Sequence, residues 1–188
     1  MMRWRSVLLA CALGGCALLP PAPVPAVRPA QPESASFALN GRISISHRGA
    51  RHSAGLRWTH TARSDEVLLL APLGQTAARV YRDAHNATLD DGDKHYRAGD
   101  AETLMRQVLG WYLPLDGLHH WVLGLAETGN PAQIERYGNG QIAVLRQDGW
   151  EIRYLRHSTA MKDSLPTHLQ LSRDGLQMQL LIDEWELP

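Results

Sequence analysis

The chain has 188 residues, 44% of them apolar, with 19 basic side chains against 19 acidic ones. That is enough for one domain with a sizeable core, and without a basic excess nucleic acid is not an expected partner. The cysteines, Cys11 and Cys16, both lie near the N-terminus, so neither a disulfide framework nor a cysteine metal centre is expected. Arg3 and Arg5 open the chain, an apolar run follows from Val7 to Leu13, and Gly14-Gly15 precede Cys16. The run is too short for a permanent bilayer-crossing helix. A basic start, a short apolar segment and a small pair together read as a secretory signal peptide over residues 1–15. Its removal takes away Arg3, Arg5 and Cys11 and leaves a net charge of −2.

Leu13-Gly14-Gly15-Cys16 resembles the lipobox of bacterial lipoproteins; the alternative is an ordinary signal peptide with a chance cysteine. The resemblance implies cleavage before Cys16, a diacylglyceryl group on its thiol and an acyl group on its new amino terminus. No other cofactor and no metal is expected. Each buried methylene contributes about 0.8 kcal/mol, and two or more chains anchor stably. Ala17, where an Asp often accompanies inner-membrane retention, points to the outer membrane. Residues 16–35 read as a tether: Pro20, Pro21, Pro23, Pro25, Pro29 and Pro32 preclude a helix and favour an extended spacer. Such a spacer is expected to order nothing itself.

The remaining residues, 36–188, carry the fold. Phe37, Leu39, Gly41, Ile43 and Ile45 alternate with polar positions, the pattern of a strand with one wet face. Arg42 then falls on the outer face, paired with an acid or simply solvated. His47-Arg48-Gly49-Ala50 makes a turn into a second strand through Leu56 and Trp58. Glu66 to Ala71, Thr76 to Arg82, Ala87 to Leu89 and His95 to Arg97 extend the meander, the last two flanking Asp90-Asp91-Gly92. Asp100 suits a helix N-cap, with Leu104, Met105, Val108, Leu109 and Tyr112 along one stripe until Pro114. A second short helix is predicted from Asp116 to Leu123. Strands resume at Gln133–Tyr137, Gln141–Gln147, Trp150–Arg156, Thr167–Ser172 and Leu176–Leu187, with turns at Asn139-Gly140, Asp148-Gly149 and Asp174-Gly175. The prediction is a mainly β domain with a helical insert: a curved antiparallel sheet that forms an incomplete barrel and is covered by the insert.

Several short features, in order, resemble the LolB family of outer-membrane lipoprotein receptors. They are Gly41-Arg42 and Trp58, then Pro72-Leu73-Gly74, then Leu113-Pro114-Leu115 with Leu118, Trp121 and Gly124. Gln147, Gly149-Trp150 and Tyr154 follow, and Leu165-Pro166, Leu169, Leu171 and Trp185 complete the match. Ala126 departs from the proline expected after the Gly-Leu pair. The resemblance implies about eleven strands, a helical lid and an apolar cavity. It also implies a role: accepting the acyl chains of lipoproteins from the soluble periplasmic carrier LolA and releasing them into the inner leaflet of the outer membrane. A monomer facing the periplasm is expected, without nucleotide hydrolysis, since no phosphate-binding Gly-rich loop is present.

In the resembling family the leucine of Pro-Leu-Gly protrudes and serves insertion into membrane, which assigns that role to Leu73, held out by Pro72 and Gly74. The alternative is a leucine folded back onto the barrel end. Residues expected to line the cavity are Leu39, Ile43, Trp58, Leu68, Leu70, Val80, Leu104, Val108, Trp121, Trp150, Ile152, Met178 and Leu180. Each could equally be packed core; as a set they are expected to line a space and not to fill it. Two other functions compete. A hydrolase lacks support, because no Gly-x-Ser-x-Gly or His-Glu-x-x-His occurs and the adjacent His119 and His120 diverge on a helix. An envelope scaffold that recruits partners without binding acyl chains would use the same anchor and tether.

Overall fold

The computed structural model describes residues 28–29 and 36–187. The leader, Cys16 and most of the tether lie outside the described residues. Eleven antiparallel strands form one sheet in the order β6-β5-β4-β3-β2-β1-β11-β10-β9-β8-β7. They are β1 (Phe37–His47), β2 (Ala50–His60), β3 (Ser64–Leu70), β4 (Thr76–Asp83), β5 (Ala87–Asp91) and β6 (Lys94–Ala98). After the helices come β7 (Ala132–Arg136), β8 (Ile142–Gln147), β9 (Trp150–His157), β10 (Pro166–Arg173) and β11 (Leu176–Glu186). The sheet is open, with β6 and β7 as its edges. The predicted fold class is thus borne out, an eleven-strand sheet with a helical insert.

The period-two pattern sets which face is buried. Phe37, Leu39, Ile43 and Ile45 of β1 are buried, as are Leu176, Met178, Leu180 and Ile182 of β11. β1 and β11 join the two halves of the sheet, and at a bulge after Asn40 their backbones come unusually close. A Cβ on Gly41 would lie 2.0 Å from the Leu181 carbonyl oxygen, so only glycine fits there.

Helix α1 (Ala101–Leu109) starts where the sequence places it. Asp100 accepts hydrogen bonds from the backbone N–H of Glu102 and Thr103. It ends earlier than the apolar stripe suggests, because Gly110 adopts the left-handed conformation and donates to the Arg106 carbonyl. Helix α2 (Leu115–Trp121) buries Leu115, Leu118 and Trp121. Both helices contribute to the same apolar core as the buried face of the sheet.

The antiparallel order sends every two-strand turn of β1–β2, β3–β4, β5–β6, β8–β9 and β10–β11 to one end of the sheet. The β2–β3, β4–β5 and β9–β10 connections lie at the other end.

Candidate functional site at the turn end

At the turn end, residues 72–74 bridge β3 and β4 in a three-residue loop. The Ala71 N–H donates to the Gln75 carbonyl and the Gly74 N–H to the Ala71 carbonyl, each at 2.8 Å. Gly74 has φ +83°, which makes this a tight turn closed by a glycine bulge, with Pro72 supplying the fixed φ that starts it. Leu73, at the tip between them, is 86% exposed. It is the most exposed large apolar residue among the described residues. Pro72 and Gly74 are exposed beside it, and from Val67 to Ala78 the chain carries no charge.

At this same end an opening of about 330 Å³ lies between the C-terminal end of α1 and the inner face of the sheet. Ile43, Ile45, Leu69, Ala78, Val108 and Trp111 are among its lining residues. Its volume falls within the range of ligand pockets, about 300–1,000 Å³. Deeper in, between α2 and the sheet, the space nearly closes. A gap of about 10 Å³ remains, bounded by Ile43, Leu56, Trp58, Leu113, Leu118, Leu171, Met178 and Leu180. That is about the room needed for one water.

Most of the residues expected to line a cavity are brought together here, but they are packed. Leu39, Ile43, Trp58, Val80, Leu104, Trp121, Trp150, Ile152, Met178 and Leu180 are each at most 4% exposed, in one continuous core. Val108 is half-buried at the opening. In this conformation the set fills its space instead of lining it. Two positions require correction: Leu68 and Leu70 lie on the outer face, half-buried. Asp65, Val67 and Leu69 take the inward places of β3, because a strand alternates and this one carries apolar residues on both sides. Cys16 lies outside the described residues. Arg42 lies on the outer face and pairs with Asp183 at 3.2 Å; exposed pairs of this kind contribute little.

The end opposite the turns holds a polar cluster that the strand pattern did not reveal. Asp65, 3% exposed, accepts hydrogen bonds from Trp58 Nε1, His60 Nδ1 and Arg82 Nε, each at 2.8 Å. Burial alone would raise the Asp65 pKa, but the His60 hydrogen bond and the Arg82 guanidinium hold it below the usual carboxylate range. Arg82 also reaches Asp116 of α2, and His60 stacks on His119 of α2 with ring centroids 4.6 Å apart. His119 donates to the Leu115 carbonyl; burial, with His120 and His60 nearby, lowers its pKa to about 4. The far end of α2 is held by Trp121, whose Nε1 donates to Gln147 and whose carbonyl accepts from the Tyr154 hydroxyl.

The tether also departs from expectation, because one of its residues is bound. The Arg28 guanidinium donates to the carbonyls of Leu123 and Gly124, just past α2, at 2.9 and 3.4 Å. Its backbone N–H donates to the Asp163 carbonyl, in the connection between β9 and β10. Only 17% of the side chain is exposed. Among the described residues no group of three or more His, Cys, Asp or Glu side chains could hold a metal ion.

Comparison with known proteins identifies the family and agrees with the fold. The family model described as "Outer membrane lipoprotein LolB" matches residues 35–185. The chain is 40% identical over 153 residues to an outer-membrane lipoprotein LolB of Nitrosomonas europaea, covering 80% of this chain and 72% of that protein. It is 37% identical over 181 residues to the Chromobacterium violaceum protein of the same name, covering 95% of both. A solved domain from Vibrio parahaemolyticus, assigned to outer membrane lipoprotein sorting, shares the fold. Its TM-score is 0.50 at 9% identity, over 81% of this chain and 85% of that one.

Proposed function

The chain belongs to the LolB family, and from that premise we propose that it receives lipoproteins from the carrier LolA and inserts them into the outer membrane. It is an outer-membrane lipoprotein, held at the periplasmic side by the acylated Cys16. Acyl chains cross water poorly, at about 0.8 kcal/mol per exposed methylene, so the receptor must shelter them between carrier and bilayer. The observation that carries this reading is the turn end. A solvent-exposed Leu73 on an uncharged stretch stands at the same end as the apolar opening under α1.

Because the interior is filled, this role requires movement. An acyl chain entering at Ile45 and Trp111 has to displace the helices from the sheet, so α1 and α2 act as a lid. Burial of a dozen methylenes supplies roughly 10 kcal/mol against the cost of opening. Release then needs only a bilayer that binds the chains more favourably than the lid does. Leu73 contributes about 1.5–3 kcal/mol if buried among headgroups, enough to hold this end at the surface during release but not to anchor the protein.

The experiment is Leu73→Glu. The variant is expected to fold, to accept lipoprotein from LolA, and to insert it roughly ten- to a hundredfold more slowly, from the lost burial. Normal insertion would remove Leu73 from the mechanism. The same filled interior also favours a second reading, a scaffold that never binds acyl chains. Saturable binding of a fluorescent fatty acid separates the two, since a scaffold shows none.

A further inference from the structure

From Ser34 to Ser64 the chain contains Arg42, Arg48, Arg51, Arg57 and Arg63 and no Asp or Glu. Arg42 meets Asp183 and Arg57 donates to Asn40. Arg48 and Arg51 are exposed, and among the described residues no ion-pair partner is found for either. Both sit on the β1–β2 hairpin, whose neighbour in the sheet is the β3–β4 hairpin carrying Leu73. Two arginines therefore stand beside the uncharged tip, at the same end of the molecule.

The backbone gives a second, independent sign. Three two-residue turns at this end have positive φ at both positions: Arg48-Gly49 (50° and 83°), Asp148-Gly149 (50° and 76°) and Asp174-Gly175 (49° and 78°). Such turns favour Asn, Asp or Gly at the first position. Two of the three comply; the one beside Leu73 holds an arginine in a left-handed conformation that disfavours it. An uncommon backbone conformation of this kind at an exposed tip is a starting point for a functional hypothesis.

The outer face next to this hairpin completes the picture. A shallow polar dish of about 360 Å³ includes Ser44, Ser46, Ser53, Gln177, Gln179 and Arg51. It adjoins an apolar groove of about 310 Å³ that includes Leu70, Pro72 and Leu181 and shares Ser44, Ser53 and Gln179 with the dish. A cation with neutral hydrogen-bonding groups, continuous with an apolar groove leading toward Leu73, has the polarity sequence of a phospholipid from headgroup to chain.

We propose that the β1–β2 hairpin, through Arg48 and Arg51, binds the anionic phospholipid headgroups of the bilayer surface beside the Leu73 tip. This rests on the reading that the Leu73 end meets the membrane, and it adds the chemistry of the lipid that end selects. The acidic turns at Asp148 and Asp174 lie on the side of the β1–β2 hairpin away from Leu73, and the β5–β6 turn with Asp91 and Asp93 lies on the far side of the Leu73 hairpin, so the arginine-bearing hairpin is the edge of this end that suits an anionic surface.

The test uses the full mature chain with Cys16→Ala, so that no acyl anchor masks weak binding. Sedimentation with vesicles of phosphatidylcholine is compared with vesicles of equal parts phosphatidylcholine and phosphatidylglycerol. Near a charged surface each arginine gives about a fivefold preference, so the anionic vesicles should bind about 25-fold more tightly. Raising the salt from about 0.05 to 0.5 M should largely abolish that preference. Arg48→Asn combined with Arg51→Thr should remove it while leaving phosphatidylcholine binding unchanged. Because Asn suits the turn, Arg48→Asn alone should melt no lower than the parent, which excludes unfolding as the cause. Leu73→Glu should weaken binding to both vesicles and keep their ratio.

An unchanged preference in the double variant overturns the proposal, as does an equal loss on both vesicles. So does a double variant that binds vesicles normally but no longer receives lipoprotein from LolA, because the arginines would then dock an acidic protein surface. Failure of the receptor reading shows separately, as absent transfer from LolA in vesicle-free solution.

Discussion

Leu118→Ala asks whether the space between α2 and the sheet is a binding site or only a core. Leu118, 3% exposed, projects from α2 into the gap shared with Trp58, Met178 and Leu180. Alanine is at least as good a helix former, so any loss of stability reports lost burial and the cavity left behind and not helix propensity. Removing a buried leucine costs about 2–5 kcal/mol, which lowers the melting temperature by roughly 5–15 °C for a chain of this size. That much holds for any core. What distinguishes a receptor is the sign of the second effect. The closed form of the variant has lost packing that the open, acyl-filled form does not use, so opening costs less. If about 1.4 kcal/mol of the loss falls on the closed form alone, a fluorescent fatty acid binds about tenfold more tightly. Thermal melts with and without the probe, alongside a fluorescence titration, measure both quantities. A variant that melts lower and binds the probe no better would refute the idea that acyl chains occupy this space.

Gly41→Ala should destabilise the fold by at least about 1–3 kcal/mol, because its Cβ would meet the Leu181 carbonyl at 2.0 Å where the two halves of the sheet join; urea unfolding checks this. Acid should destabilise the fold. His119 has a folded pKa of about 4 against an ordinary 6.5, so the unfolded chain binds the extra proton between those values, and stability falls as pH drops from about 6.5 to 4. Asp65, whose pKa is lowered, adds a loss in the same direction as pH falls through the carboxylate range. Melting temperatures of the parent and of His119→Gln across pH 7 to 4.5 should show a shallower decline in the variant.

The strands and turns were legible because their signals are local. Alternation at Phe37 to Ile45 and the Asp-Gly turns at 148 and 174 depend only on neighbours in the chain. Leu68 and Leu70 were misplaced because Val67-Leu68-Leu69-Leu70 is apolar at every position, so alternation offers two registers of equal merit. The inward place of β3 next to Val67 is Asp65, and no local pattern announces a buried carboxylate. Its burial depends on His60, Trp58 and Arg82, which reach it across strand neighbours. Whether an apolar face lines a space or fills it is likewise invisible to periodicity, since both demand the same residues at Trp58, Met178 and Leu180. Pro72 and Gly74 marked a turn but left the Leu73 side chain free to fold back, and its outward course was expected only from the family resemblance. Arg28 was not legible, because its partners are backbone carbonyls, which every residue carries.

If Cys16 is the acylated anchor proposed above, the bound Arg28 shortens the leash of the domain. With Arg28 fastened, 12 residues run from Cys16 to the first fixed point, in place of 21 to Phe37. Their longest contour is about 40 Å instead of about 70 Å. Arg28 docks at the end away from Leu73, and the eight residues of β10 span about 26 Å between those ends. The leash is therefore long enough to let the Leu73 end rest on the bilayer, with little left over for the domain to wander away from it.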